Sequence, residues 1–327
     1  MRKFAVVLLA AALGLGYLAY AWLNEPLLLA AESVDLVVEP GSSPREVAVQ
    51  VQQTGVTVNP ALLYWWFRLS GQARQIKAGN YELERGTTPA NLLSKLVRGE
   101  EALRSVTLVE GWNFRQVREA LKKAEQLKPL TDGLMPEELM QQVGKPGVAP
   151  EGRFFPDTYT YAKGTSDLAL LQRAARAMDK KLEAAWAQRA PQSQLKSPDE
   201  ALILASIVEK ETGKAADRAN VAAVFNNRLR VGMPLQTDPT VIYGMGTAFD
   251  GHLRKKDLQA DTPWNTYTRP GLPPTPISMP GKASLVAAVH PADSRALYFV
   301  ARGDGSSQFS NSLDEHNRAV NKFQRGQ

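Results

Sequence analysis

The chain has 327 residues, of which 44% are hydrophobic, and its formal net charge is +6. This length can bury a sizeable core, and it predicts two soluble domains. The sequence contains no cysteine, which excludes disulfides, thiol catalysis and cysteine-ligated metal. The positive charge is modest and includes no long basic run interleaved with aromatic residues, so nucleic acid is not expected as a partner.

The first predicted element is a membrane-spanning helix. Phe4–Leu23 is a run of 20 residues without a charge, long enough to cross a bilayer. Arg2 and Lys3 precede it, which favours a cytoplasmic N-terminus and an exported remainder. The alternative is a cleaved signal peptide, because Ala19-Tyr20-Ala21 resembles a small-x-small cleavage site. Since the apolar run is longer than the core of a signal peptide, we expect an uncleaved anchor within residues 1–24.

Residues 33–101 contain two copies of a strand followed by a helix. In each copy a hydroxyl residue and a proline start the helix, and a glycine stops it. The predicted elements are a strand over Val34–Glu39 and a helix from Ser42-Ser43-Pro44 to near Gly55, then a strand over Gly79–Glu84 and a helix from Thr87-Thr88-Pro89 to Gly99. Between the copies, Pro60–Leu69 is predicted as an aromatic-rich helix. Its Trp65-Trp66 pair favours core packing over a ligand platform.

Residues 102–327 are predicted to mix strands and helices around one irregular segment. The predicted elements are a strand over Ser105–Val109, a helix over Asn113–Leu127, a loop or short-helix insertion over Leu130–Pro150, a helix over Asp167–Arg189, a helix opened by Ser197-Pro198, a final strand over Leu297–Ala301 and a final helix over Leu313–Phe323. Arg230–Pro280 is rich in Pro, Gly, Thr and Asn, which is typical of a functional or disordered loop. Its aromatic residues, among them Trp264 and Tyr267, argue against disorder.

The segment Ala201–Gly213, ALILASIVEKETG, is an apolar helical pattern that runs into two carboxylates. At about 100° per residue, Leu204, Val208 and Glu211 share a narrow sector, whereas Glu209 points away from it. Glu211 therefore extends the apolar stripe, and Glu209 is predicted to be a surface residue. Desolvation keeps a carboxyl protonated, which is the state that a general acid needs. The alternative is that the stripe has ended and that Glu211 is solvated in the last turn.

The sequence carries no common signature of metal, nucleotide or triad chemistry. His252, His290 and His316 are the only histidines, and none has a ligand-type partner three or four residues away. No metal site and no cofactor are therefore expected. His316 is favoured as a structural histidine over a catalytic one. No nucleophile elbow, P-loop or dinucleotide fingerprint is present.

Polar side chains concentrate in Asn226–Arg228 and Gln236–Asp238, and at Asn265 and Tyr267. Amides, hydroxyls and aromatic faces suit sugar recognition, because sugar rings stack on aromatic rings and sugar hydroxyls need donors and acceptors. The same residues equally suit a hydrogen-bonded loop core. Spacing alone leaves both interpretations open.

Seven motifs occur in order along the chain. They are KAGNYEL (Lys77–Leu83), LVEGW (Leu108–Trp112), EGRFFPDTY (Glu151–Tyr159), ASIVEKET (Ala205–Thr212), VFNNRLRVGMPLQTDPTVIYGMG (Val224–Gly246), NTYTRPGLPPTPIS (Asn265–Ser278) and FSNSLDEHN (Phe309–Asn317). Together they strongly resemble the endolytic murein transglycosylases of the MltG (YceG-like) family. The resemblance covers nearly the whole chain, from the N-terminal apolar run to the last helix.

The resemblance implies an α+β protein of the inner membrane, anchored by one helix, with its catalytic domain in the periplasm. It implies a transmembrane segment in residues 1–24, a LysM-like domain over 33–101 and a catalytic domain over 102–327. The implied reaction cleaves the β-1,4 bond between N-acetylmuramic acid and N-acetylglucosamine inside nascent peptidoglycan. It leaves 1,6-anhydro ends and terminates glycan elongation. The essential glutamate of the family's E-K-E-T motif falls on Glu211.

Several further residues are candidates for contact with the sugar. Asn227 and Gln236 are favoured, and the others are Thr237, Asp238, Tyr243 and Asn317. Asp238 is a candidate second carboxylate, with a turn cap before Pro239 as the alternative. The expected partners are peptidoglycan strands and wall synthases such as penicillin-binding proteins. The LysM-like region lacks a strict LysM signature, so a spacer or docking face is the alternative to glycan binding.

Two other functions are weighed against the transglycosylase. One is a non-catalytic peptidoglycan-binding or scaffold protein, in which the Trp65-Trp66 pair and the LysM-like domain would carry the function. The other is a small-molecule lyase acting on aminodeoxychorismate, an activity historically attached to this family. A membrane-anchored, exported chain without a cofactor-binding lysine motif argues against the lyase.

Overall fold

The computed structural model describes residues 2–326 and divides into two compact units. The first unit comprises the residues up to Arg104 together with Thr160–Gly164, and the second comprises Ser105–Tyr159 and the residues from Thr165 onward. Both units contain helices and strands, so the prediction of a mixed α and β protein is confirmed.

The first unit holds an N-terminal helix followed by a small α/β module. Its elements are α1 (Arg2–Asn24), β1 (Leu28–Leu29), β2 (Ser33–Val38), α2 (Pro44–Gln53), β3 (Val56–Thr57), α3 (Pro60–Leu69), β4 (Gly79–Glu84) and α4 (Pro89–Arg98). Antiparallel pairing joins β1 to β3 and β2 to β4. Along β2, Leu36 and Val38 are buried, and they pack with Leu63 and Phe67 of α3 into one apolar core.

Within residues 2–326, one helix is long and apolar enough to cross a membrane, over Lys3–Asn24. Its mean hydropathy is 2.1, and most of its apolar side chains are exposed, whereas Trp22 near its end packs against the core of the module. A helix of this length spans the hydrocarbon core of a bilayer.

The helix starts predicted in the module are confirmed. The Ser43 hydroxyl accepts a hydrogen bond from the Glu46 amide, and the Glu46 carboxylate accepts one from the Ser43 amide, which together form a capping box. The Thr88 hydroxyl caps α4 by accepting a hydrogen bond from the Asn91 amide, and Gly99 ends that helix at a φ of 73°.

The two tryptophans of α3 differ in their surroundings. Trp66 packs against the core, and its indole nitrogen donates to the Pro89 carbonyl at 3.2 Å. Trp65 points away from the core and is 53% exposed. The prediction of core packing therefore holds for Trp66 and is wrong for Trp65, because adjacent residues on a helix point about 100° apart.

The second unit is mostly helical. The strands β5 (Leu103–Thr107) and β6 (Thr158–Ala162) belong to it in part. Its other elements are α5 (Phe114–Lys123), α6 (Pro136–Val143), α7 (Asp167–Ala187), α8 (Pro198–Glu211), α9 (Arg218–Arg230), α10 (Asp238–Met245), α11 (Lys255–Gln259), α12 (Lys282–Val289), β7 (Tyr298–Ala301), β8 (Ser307–Ser310) and α13 (Leu313–Val320). The strands β7 and β8 form an antiparallel hairpin. The strands β5 and β6 also pair, and the division between the units falls within both.

The helix α8 is the centre of the second unit. It packs against α7, α9 and α12, and seven of its residues are buried, from Ala201 to Val208. The one polar member, Ser206, is fully satisfied: its hydroxyl donates to the Ile203 carbonyl and accepts from the Ile277 amide. A helix that is apolar around most of its circumference is typically buried in a core, as α8 is.

The structure corrects several boundaries. The helix predicted over Asn113–Leu127 ends at Lys123, because Ala124 has an extended backbone. Leu297–Ala301 does not hold the final strand, since β8 follows it. Within Arg230–Pro280 the chain forms α10 and α11, so this segment is ordered but more helical than its composition predicts.

Gly152 occupies a position that only glycine suits. Its φ is 76°, and a Cβ there would lie 2.5 Å from Cβ of Pro276. We expect Gly152→Ala to lower the free energy of unfolding by about 2 kcal/mol, from backbone strain and this contact. Gly147 has a φ of 74° with no heavy atom within 4 Å of the added Cβ, so Gly147→Ala should cost only about 1 kcal/mol. Denaturant titration compares the two, and equal losses would contradict the prediction.

Candidate active site

Glu211 is the last residue of α8, at the point where the helix leaves the core. Its side chain is half-buried, and its carboxylate accepts a hydrogen bond from the Thr237 hydroxyl. Thr237 is 2% exposed and immediately precedes α10. Glu211, at the end of the apolar stripe, therefore contacts the residue that precedes α10 and does not point into open solvent.

Glu211 faces a cavity of about 870 Å³, a size within the range of ligand sites. Its polar lining includes the side chains of Glu211, Arg228, Gln236, Thr237, Asp238, Tyr267, His316 and Asn317. Aromatic rings of Phe225, Tyr298 and Phe299 supply further wall. The structure thus brings together five residues predicted for the site: Glu211, Gln236, Thr237, Asp238 and Asn317.

The surroundings of Glu211 favour its protonated form. Burial raises the pKa of Glu211 as the dominant effect, and the negative charge of Asp238 raises it further. The Thr237 hydrogen bond and the positive charge of Arg228 act in the opposite direction and lower the pKa. The net result is a pKa above the ordinary value for a glutamate, as a general acid requires.

Arg228 is a buried cation in the wall of this cavity. It is 8% exposed, and its guanidinium donates to the carbonyl oxygens of Leu297 and Leu235, at 2.7 Å each. The guanidinium also lies 5.4 Å from the centre of the Tyr298 ring. Burial lowers the pKa of Arg228. The hydrogen bonds fix the backbone on two sides of the cavity and place a positive charge near Glu211.

The backbone before α10 is held in an uncommon conformation. Gln236 has a φ of 50°, although it is not glycine, and its amide donates to the Thr266 carbonyl at 3.1 Å. The next amide, of Thr237, donates to the Thr266 hydroxyl at 3.1 Å. Strained residues persist where surrounding bonds determine them, and such residues cluster at functional sites.

Asp238 is the first residue of α10 and is exposed. Its carboxylate accepts a hydrogen bond from the Tyr267 hydroxyl at 2.6 Å. Burial raises the pKa of Tyr267, and this hydrogen bond raises it further. The residue before α10 is Thr237, and no side chain caps that helix. Asp238 is therefore a second carboxylate near Glu211, and it does not act as the turn cap that was the alternative.

Two predicted site residues do not line the cavity. The amide of Asn227 donates to the carbonyl oxygens of Ser294 and Ala296, at 2.7 and 3.0 Å. The hydroxyl of Tyr243 hydrogen-bonds to Glu151, and its ring packs edge-on against Trp264. Both side chains are engaged in internal packing, which differs from the expected contact with sugar.

His316 does line the cavity, although it was not favoured as a site residue. Its ring stacks on Tyr298 at 5.2 Å, and burial lowers the pKa of His316, with Arg228 adding to that effect. Its Nδ1 atom is buried and has no hydrogen-bond partner among the described residues. The ring is therefore a neutral part of the wall.

Glu209 is not the plain surface residue that its helical angle predicts. It is half-buried, and its carboxylate accepts a hydrogen bond from the Gly281 amide at 2.9 Å, at the start of α12. Its neighbour in space is Glu110, whose pKa is raised by burial and by the charge of Glu209. The two glutamates of the motif thus face different parts of the fold.

The first unit contains another cavity, of about 940 Å³, lined by residues such as Trp22, Thr57 and Asn59. Glu25 is the one charged residue in its lining. The two cavities are similar in size. They differ in their charged side chains, because the cavity of the second unit is lined by Glu211, Arg228 and Asp238. Across residues 2–326, no group of three or more His, Cys, Asp or Glu side chains is placed to hold a metal ion.

A half-buried carboxyl with a raised pKa, beside a cavity of polar and aromatic side chains, defines a candidate acid–base site. The chain belongs to the YceG-like family, whose model matches residues 36–322. It is 30% identical to the endolytic murein transglycosylase of Bacillus subtilis (strain 168) over 308 residues, which cover 89% of this chain and 85% of that protein.

The chain is also 28% identical to the endolytic murein transglycosylase of Streptococcus pneumoniae (strain D39), over 93% of this chain. It spans 62% of the length of that protein. A crystal structure of a YceG-like protein from Listeria monocytogenes, at 2.6 Å resolution, matches with a TM-score of 0.54 and 30% identity. That match covers 88% of this chain and 98% of the Listeria chain.

Proposed function

We propose that this protein is a lytic transglycosylase that cleaves the β-1,4 bond between N-acetylmuramic acid and N-acetylglucosamine within nascent peptidoglycan. It leaves 1,6-anhydromuramoyl ends and so acts as a terminase of glycan elongation. The single observation that carries the proposal is Glu211, a carboxyl of raised pKa at the cavity. Relatives named endolytic murein transglycosylases support the choice of substrate.

One carboxyl performs both halves of the reaction. Protonated Glu211 gives its proton to the glycosidic oxygen, and the C1–O bond breaks as N-acetylglucosamine leaves. The resulting carboxylate takes the proton of the muramoyl C6 hydroxyl, whose oxygen bonds to C1 and closes the anhydro ring. No water is consumed, and Glu211 ends in its starting state. Ordinary glycosidases use two carboxyl groups in flanking positions for hydrolysis instead.

The other cavity residues hold the glycan. Gln236 and Asn317 offer amides to sugar hydroxyls, and Asp238 offers a carboxylate that Tyr267 orients. Tyr298 and Phe299 supply aromatic surface against which sugar rings pack. Thr237 acts on Glu211 directly, by donating a hydrogen bond to the catalytic carboxyl.

The helix α1 is the inner-membrane anchor, with its N-terminus in the cytoplasm and the remainder in the periplasm. Lys3 on the short N-terminal side supports this orientation. Residues 1–24 form the membrane segment, 33–101 a LysM-like domain and 102–327 the catalytic domain. The placement beside the membrane suits action on strands as they leave wall synthases such as penicillin-binding proteins.

The test is incubation of the full-length protein in detergent with purified uncrosslinked glycan strands, followed by mass spectrometry. Anhydro-ended fragments are expected. Reducing ends would indicate hydrolysis and overturn the mechanism. Strands that bind the protein but stay intact would favour the non-catalytic, peptidoglycan-binding alternative.

The pH dependence of cleavage should report on the neighbours of Glu211. Activity requires the protonated carboxyl, so kcat/KM falls as the pH rises through the pKa of Glu211. Thr237→Val removes a bond that lowers this pKa, and the alkaline limb should move to higher pH. Asp238→Asn removes a charge that raises it, and the limb should move to lower pH. Initial rates measured across pH check both shifts, and movement in the same direction would contradict the assignment.

A further inference from the structure

Glu151 is a buried carboxyl outside the catalytic cavity. It is 5% exposed, and both of its oxygens accept from the Phe114 amide, at 3.0 and 3.1 Å. Phe114 is the first residue of α5, so Glu151 satisfies an amide that the helix itself cannot pair. The Gly152 amide and the Tyr243 hydroxyl are its other donors.

Burying a carboxyl is costly unless donors surround it. The bonds from Phe114, Gly152 and Tyr243 oppose the rise in the pKa of Glu151 that burial causes. No cation among residues 2–326 forms an ion pair with it. Its donors include the first residue of α5 and Tyr243 of α10, so Glu151 links these two elements.

The element that Tyr243 belongs to leads directly to the active site. Tyr243 lies in the last turn of α10, and Thr237, which donates to Glu211, immediately precedes that helix. The first turn of α10 is held by Thr240, whose hydroxyl donates to the Thr237 carbonyl. Backbone hydrogen bonds join the two turns of this eight-residue helix, so a bond at Tyr243 constrains the end next to Thr237.

We infer that Glu151 is a positioning residue for the reaction, acting through Tyr243 and α10 on the Thr237 hydroxyl that contacts Glu211. This inference rests on the proposed function. Glu151 touches no substrate in this arrangement. It fixes the distance and angle at which Thr237 meets the catalytic carboxyl.

The central variant is Tyr243→Phe, which removes the hydroxyl that bonds to Glu151 and to Thr275 and leaves the Phe114 amide satisfied. We expect kcat to fall by about 3- to 10-fold, with KM within about twofold of wild type, because the defect lies in catalytic geometry. The alkaline limb of the pH profile should move to higher pH, as in Thr237→Val. The charges that face Glu211, on Asp238 and Arg228, are unchanged in this variant.

Glu151→Gln keeps an oxygen that accepts from only some of the same donors, so its loss of kcat should be smaller than that of Glu151→Ala. If Glu151→Ala does not fold, Tyr243→Phe and Glu151→Gln still test whether Glu151 acts through Tyr243. In the double variant Tyr243→Phe with Glu151→Gln, the loss should not exceed the larger single loss. Losses that multiply would show independent action and overturn the inference.

The matched control is Tyr159→Phe. Tyr159 is a buried tyrosine of the same unit whose hydroxyl donates to the Phe155 carbonyl at 2.8 Å, away from α10. Its kcat and pH profile should equal those of the wild type. All variants are assayed as full-length protein with uncrosslinked glycan strands. An inactive wild type would defeat the proposed function, whereas an active wild type with an unchanged Tyr243→Phe variant would defeat only this inference.

Discussion

Replacing Glu211 by glutamine is expected to lower kcat for glycan cleavage by about 10²- to 10⁴-fold, the range that general acid–base catalysis contributes. Glutamine keeps the size of the side chain and an oxygen that can accept the Thr237 hydroxyl. It has no proton to give to the leaving oxygen and no basicity to accept one from the C6 hydroxyl. KM should change little, because sugar contacts come from other residues. Initial rates of anhydro-ended product across glycan concentrations measure both constants.

Glu209→Gln is the matched control, two residues earlier on the same helix. Glu209 accepts from the Gly281 amide, and the glutamine oxygen can accept the same bond. Its kcat should stay within about threefold of wild type. An equal loss of kcat in both variants would mean that the substitutions disturb α8, and not that proton transfer by Glu211 is lost. Full activity in Glu211→Gln would remove Glu211 from its proposed role.

The parts of the fold that the sequence predicts well are those that local chemistry determines. The helices α2 and α4 begin where a hydroxyl precedes a proline, and α4 ends at Gly99. These signals act within a few residues, so they are visible in one chain without knowledge of its packing.

The helices α9 and α12 lack such signals and were not predicted. Neither has a side chain that caps its first turn. α12 is buried on most of its surface, so its apolar residues show no helical stripe. Its contacts with α8 and α9 stabilise it, and those contacts arise only in the folded chain.

In the candidate site, too, local patterns predict some features, and others depend on packing. Helical periodicity is local, and it predicted that Glu211 extends the apolar stripe. The approach of Arg228 and Tyr267 to Glu211 depends on the packing of separate elements, which no local pattern encodes. Asn227 and Arg228 are adjacent in α9, but their side chains diverge by about 100°, so only Arg228 reaches the cavity.

We expect the free energy of unfolding of the wild type to fall relative to that of Glu151→Gln between pH 4.5 and pH 8. Burial raises the pKa of Glu151 from 4.5 to about 7 in the folded protein. Between these values the folded state holds a proton that the unfolded state has released. The free energy of unfolding therefore falls as the pH rises. The contribution is complete below pH 4.5 and is lost above about 7.

A difference of about 2.5 pH units corresponds to about 3 kcal/mol, and a glutamine at this position does not titrate. The wild type should therefore lose about 3 kcal/mol relative to Glu151→Gln between pH 4.5 and pH 8. Denaturant titration of both proteins at several pH values measures this change. Tyr159→Phe leaves the carboxyl in place, so its difference from wild type should not vary with pH. A constant difference for Glu151→Gln as well would mean that Glu151 has the same pKa in both states, and that its donors fully offset the cost of its burial.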